Sequence, residues 1–149
     1  MNIPLFLIPI VVGICAQLLK KPFNRRHLSE ITVAGVHMPR YGGMPSAHTA
    51  FAFSLLTTVA LSDGIYKGSF VVAVAITIFI LDDALRMRIF LGRHGQALRK
   101  LIDQLPADQQ KGFPGLESRL GHKPAEVVAG AIIGVVGTLG LYLLLQGLM

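Results

Sequence analysis

Two histidines stand where this sequence could do chemistry. His48 lies in GGMPSAHTA, Gly42 to Ala50, and His122 in LGHKPAEVVAG, Leu120 to Gly130; each opens an apolar segment. Glu126 follows His122 by one helical turn. A carboxylate there can accept from one imidazole nitrogen and leave the other to attack an electrophile. His48 could then protonate a leaving oxygen. Either histidine alone would read as a helix cap or an interfacial residue; two of them at two helix starts, beside several arginines, suggest a site.

The surroundings favour an anion. Pro45 and Pro124 each suit the first turn of a helix, and Ser46 or Thr49 can satisfy amides left over there. Unpaired N–H groups and the helix dipole attract anions, phosphate above all. Arg40, Arg86, Arg88, Arg119 and Lys20 could add positive charge. The other option is a metal: His122, Glu126, His48 and an aspartate could hold zinc or manganese, although so basic a surround disfavours a cation.

The elements that must position these groups are membrane helices. The chain has 149 residues, 52% hydrophobic and only 15% charged, with a mean hydropathy of +0.59. We read residues 1–149 as a single integral membrane domain. The fold expected is all-α, a polytopic bundle of four transmembrane helices near Ile3–Leu19, Met44–Leu61, Phe70–Leu91 and Ala125–Leu145, each close to the ~20 residues a span needs. Basic residues follow the first segment rather than precede it, the wrong order for a signal peptide. The net charge of +6 flanks apolar runs, so lipid headgroups rather than nucleic acid are the expected partners. Cys15 alone can form neither an internal disulfide nor a cysteine metal cluster.

Lys20, Lys21, Arg25, Arg26 and Arg40 fill the first loop, and Arg93, Arg99, Lys100, Lys111, Arg119 and Lys123 the long third one. Both should face the cytoplasm, with both termini outside. A bacterial cytoplasmic (inner) membrane with a cytoplasmic active face is the location expected. Within the long loop, Gln96–Leu105 reads as a short amphipathic helix stopped by Pro106, and Gly112 to Gly115 as a turn.

Tracing four spans puts three polar clusters on one face: Arg40–Ala50, Asp82–Arg88 and Glu117–Gly130. Asp82 and Asp83 near the end of an apolar run need partners, since a mid-helix carboxylate costs about 2.5–3.5 kcal/mol; Arg86 is one turn from Asp82. Gly130 and Gly134 form a small-xxx-small step that admits a close helix, from span one, span two or a second copy of the chain in a homodimer.

With those residues in hand, the sequence resembles the divergent small branch of the type 2 phosphatidic acid phosphatases. GGMPSAHTA is similar to the branch's GGMPSSHSA-like element, a variant of the superfamily's PSGH motif. LGHKPAEVVAGAIIG resembles its GHTPLEVLAG-like element and the superfamily's HxPxDVxAG stretch, and DDALRMR resembles its DAAGVRR stretch. The likeness spans about Lys20 to Gly134. It implies His122 as nucleophile, Glu126 as its orienting acid, His48 as general acid, a phosphohistidine intermediate and no metal or other cofactor. Ser46, Arg40, Asp83, Arg86, Arg88, Arg119 and Lys20 are the candidates to surround the phosphate; either Asp82 or Asp83 can match the branch's aspartate, and the spacing to Gly92 favours Asp83. The chain departs from the superfamily at Glu126, where aspartate is usual, and at Leu116, where an arginine stands six residues before the nucleophile. The lysine–arginine–proline motif is not evident, and six spans are common where four are read here.

The function expected is hydrolysis of a lipid phosphate ester, with phosphatidylglycerophosphate, phosphatidate and isoprenyl phosphates or diphosphates all fitting. The alternative is a protein that binds anionic lipid or assembles a complex without chemistry.

Overall fold

The computed structural model describes residues 4–23, 31–33, 36–38, 43–110, 113 and 124–147. Helix α1 spans Leu7–Phe23, α2 Ala47–Ser62 and α3 Gly68–Asp82. A π-helical turn, Asp83–Met87, joins α3 to α4, Arg88–Ile102. A single turn, α5, covers Ala107–Gln110, and α6 runs Pro124–Gly147. Strands β1, Ile31–Val33, and β2, Val36–Met38, pair antiparallel with Thr32 opposite His37. The architecture is helical, and this hairpin is an addition to the all-α expectation. Ile31, Thr32, Val33 and Val36 are β-branched, which suits a pleated strand better than a helix.

Two of the helices are long and apolar enough to cross a membrane: the continuous Gly68–Ile102, 35 residues, and Pro124–Gly147, 24 residues; Leu7–Lys20 and Ala47–Ser62 are shorter apolar helices. The exterior is correspondingly apolar, with Phe6, Val71, Phe79 and Leu143 all exposed.

Helix α2 is the centre, packed against α1, α3 and α6, and α1 also touches α6. Its buried residues are small: Thr49, Ala50, Ala52, Ser54 and Thr58. Small side chains let neighbouring backbones come close, which is how helices gain dispersion energy where the solvent is as apolar as they are. On α6 the matching face is Glu126, Gly130, Gly134 and Thr138, one turn apart each. A Cβ on Gly130 would fall 2.5 Å from the Ser46 carbonyl oxygen, and one on Gly134 2.6 Å from that of Ala50. Further along, the hydroxyls of Ser54 and Thr138 bond each other, and Thr138 Oγ1 also donates to the Gly134 carbonyl at 2.7 Å. The rising numbers on both sides make α2 and α6 parallel. The Gly130–Gly134 step is therefore filled by α2 of the same chain.

On α1 the inward face is Ile8, Val12 and Ala16, each 3% exposed or less, and the same i, i+4 ladder arrives at half-buried Lys20. Val12 meets Gly137, and Phe51 meets Gly13. On α3, Thr77 Oγ1 donates to the Ala73 carbonyl at 2.8 Å and reaches the Ala52 carbonyl at 3.3 Å. The C-terminal end of α1, the N-terminal end of α2, the C-terminal end of α3 and the N-terminal end of α6 consequently share one end of the bundle.

At the opposite end α2 closes on Asp63, followed by Gly64 at φ +88°, a left-handed conformation glycine adopts without strain. Ser69 and Ser62 donate to the Asp63 carboxylate and hold it below the usual aspartate range.

The amphipathic stretch expected at Gln96–Leu105 is not a separate helix. It is the outer part of α4, continuous with α3 and ending at Ile102. No proline interrupts residues 68–105. Gly92 and Gly95 are buried in α4, where about 1 kcal/mol of lost helix propensity each does not break the helix. Thirty-five residues rise about 52 Å, well beyond a ~30 Å hydrocarbon core. The loop expected from Gly92 onward is thus helical for its first third. Of the turn expected at Gly112 to Gly115, only Phe113 lies among the described residues.

Candidate functional site

The local sequence explains how α2 starts where it does. Gly43 takes φ +92°, turning the chain into Pro45 and Ser46. Ser46 is the N-cap: its Oγ accepts from the Thr49 amide at 3.4 Å and from the Thr49 hydroxyl at 2.9 Å. Both side chains are fully buried. The sequence allowed either residue as the cap, and the two act together. Pro45 precedes the cap rather than occupying the first turn, whereas Pro124 is the first residue of α6, as expected.

The two helix starts are joined directly. The Ser46 amide donates to the Glu126 backbone carbonyl at 3.0 Å, and the close approach at Gly130 lies just beneath. Glu126 falls in the first turn of α6, where a carboxylate complements the helix dipole. His48, in the first turn of α2, is exposed at the bundle end.

Positive charge reaches this point from two other helices. The charges of Arg88, Lys20 and Asp83 act on the His48 imidazole, and Lys20 in turn interacts with Glu126 and Arg88. Lys20 ends the inward ladder of α1. Arg88 opens α4, and its Nε donates to Asp83 Oδ2 at 2.7 Å. The guanidinium side is well covered, with 20% of the Arg88 side chain exposed. Arg86 behaves differently: it pairs with Asp82 at 3.1 Å, and 73% of its side chain is exposed.

Of the residues singled out in the sequence, the structure therefore brings together Lys20, Ser46, His48, Asp83, Arg88 and Glu126. Arg86 and Asp82 form the one-turn pair the sequence suggested, turned outward. Arg40, Arg119 and His122 lie outside the described residues. The sequence reading did not separate Arg86 from Arg88, because it assumed an α-helix through both. It named Ser46 and Thr49 as alternatives rather than as two parts of one cap. The 8–12–16–20 spacing on α1 was the available signal that Lys20 faces inward. The described residues gather no group of three His, Cys, Asp or Glu side chains suited to a metal ion.

An apolar exterior closing on one polar, cation-bearing end is the build of a membrane protein. The chain belongs to the divergent PAP2 family, whose pattern matches residues 1–137. It is similar to the uncharacterized membrane protein YuiD of Bacillus subtilis (strain 168), 32% identical over 109 residues, which are 66% of this chain and 69% of that protein. No solved structure matches it.

Proposed function

We propose that this protein is a metal-independent phosphatase acting on a phosphate ester of a membrane lipid. The observation that carries the reading is that the charges of Lys20 and Arg88, from α1 and α4, reach His48 where the N-termini of α2 and α6 are joined, with Glu126 within electrostatic range of Lys20. Four helices cross the membrane, both termini lie outside, and the polar end faces the cytoplasm. The lipid tails lie along the apolar helix faces while the phosphate rests at the bundle mouth.

Lys20, Arg88 and the α2 amides near Ser46 hold the phosphoryl oxygens, with Arg40 and Arg119 as further contributors. An imidazole nitrogen of His122 attacks phosphorus as the ester P–O bond breaks, and His48 gives its proton to the departing alkoxide. The Glu126 carboxylate accepts from the other nitrogen of His122 and stabilises the cationic ring. Water then attacks the phosphohistidine, His48 takes the water's proton, and inorganic phosphate leaves with His122 restored. Phosphatidylglycerophosphate, phosphatidate and isoprenyl phosphates or diphosphates share the required chemistry.

Leu116, in place of the superfamily's arginine, favours a second reading, a protein that binds anionic lipid without hydrolysing it. The two separate in one assay. Purified protein in detergent micelles, given a panel of lipid phosphates with chelator present, should release inorganic phosphate, and orthovanadate should inhibit. Retention of a lipid phosphate without any phosphate release selects the binding protein, and activity abolished by chelator selects a metal enzyme.

A further inference from the structure

The turn at Asp83–Met87 is the one break in regular α-helix geometry along Gly68–Ile102, and it sits at the site. π-turns in α-helices occur frequently at functional positions. Here its two ends are tied twice. The Arg88 amide donates to the Asp83 carbonyl, the i to i−5 bond that defines the turn, and the Arg88 Nε donates to the Asp83 carboxylate at 2.7 Å. In an α-helix, residues five apart point about 140° away from each other, and no such pair of bonds would form. The widened turn stacks Arg88 over Asp83. The next charged pair, Asp82 and Arg86, keeps ordinary i, i+4 spacing and remains outward, with Arg86 73% exposed.

A carboxylate beside an anion site repels the ligand unless it serves a cation that binds it. Asp83 is within electrostatic range of His48, as is Arg88. We propose that Asp83 does not contact the phosphoryl group but is a positioning residue, which, through the π-turn, aims the Arg88 guanidinium at the phosphate held beside His48. Arg88 then supplies from α4 the positive charge that Leu116 does not supply ahead of His122. Bidentate guanidinium recognition of phosphate depends on orientation as well as charge, so a fixed carboxylate behind the guanidinium has a role that Arg86 and Asp82 do not share. This inference rests on the reading of the cluster as a phosphoryl site.

The test uses the full chain in detergent, with inorganic phosphate binding and lipid phosphate hydrolysis measured separately. Asp83→Asn should weaken phosphate binding and raise KM about tenfold while kcat falls less than about threefold. Arg88→Lys should show the same split, since an ammonium keeps the charge but loses the fork. The reversed pair, Asp83→Arg with Arg88→Asp, should regain thermal stability lost in either single reversal without regaining phosphate binding. Wild-type phosphate affinity in Asp83→Asn, recovery of both stability and binding in the reversed pair, or no phosphate binding by the wild-type protein overturns the proposal. If the wild-type protein binds phosphate but hydrolyses no lipid phosphate, the phosphatase reading fails alone, and the binding comparison still decides the role of Asp83.

Discussion

Replacing His122 with alanine is expected to reduce phosphate release from a lipid phosphate by at least about a thousandfold, with thermal stability unchanged. The magnitude follows from the role. A residue that forms the covalent intermediate cannot be substituted by its neighbours, and removing one member of such a unit costs nearly as much as removing all of it. His48→Ala should be milder with activated substrates, whose leaving oxygen needs no proton, and nearly as severe with alkyl phosphates. Glu126→Gln should fall between them: an amide keeps a hydrogen-bond acceptor but loses the charge that stabilises the imidazolium. Binding of inorganic phosphate, supported by Lys20, Arg88 and helix N-termini, should survive His122→Ala. Loss of binding together with activity would mean that His122 shapes the site rather than reacting in it.

The second large effect should come from a residue that touches no substrate. Gly130 lies where the two helix starts meet, and a Cβ there would come within 2.5 Å of the Ser46 carbonyl and 3.0 Å of Thr49 Cβ. The obstacle is backbone, so Gly130→Ala must push the starts of α2 and α6 apart by several tenths of an ångström. That movement stretches the Ser46–Glu126 bond and shifts the start of α2, which carries His48, relative to the start of α6. Misplacement on the order of 1 Å costs about a hundredfold in rate, while overpacking costs about 1–3 kcal/mol of stability. Gly130→Ala should therefore lose about ten- to a hundredfold in activity while still folding. Gly134→Leu, with the Ala50 carbonyl at 2.6 Å and Phe53 Cβ at 2.8 Å, should disrupt the α2–α6 seam altogether. Gly140→Ala is the control, since nothing lies within 4 Å of its added Cβ; activity and melting temperature should match the wild type. Phosphate release at the wild-type rate in Gly130→Ala would show that the spacing of the two helix starts is not critical.

How much of this was readable from residues alone depends on what each residue signals. The apolar segments and the gathering of polar clusters at one end follow from hydropathy and the alternation of chain direction, and the glycine step followed from spacing. The inward face of Lys20 was present as the Ile8–Val12–Ala16 ladder, but a lysine at a helix end reads first as a charge that marks orientation. The division between Arg86 and Arg88 was not legible. It depends on one extra residue per turn at Asp83–Met87, which no propensity of Asp, Ala, Leu, Arg or Met indicates. The continuity of α3 into α4 was missed for a related reason. The loop was expected from Gly92 onward, whereas burial of Gly92 and Gly95 on a packed face lets the helix run through them. The β1–β2 hairpin was too short, at three residues a strand, to stand out against the basic loop around it.

The central claim is that His122 becomes phosphorylated by a substrate lying against His48, Lys20 and Arg88. The most direct measurement is a rapid alkaline quench of the wild-type protein turning over a lipid phosphate in chelator, followed by mass spectrometry of its peptides. The account predicts a base-stable, acid-labile phosphoryl group on His122 that is absent without substrate. Turnover with water that leaves residue 122 unmodified at every quench time, and that continues in His122→Ala, would contradict it.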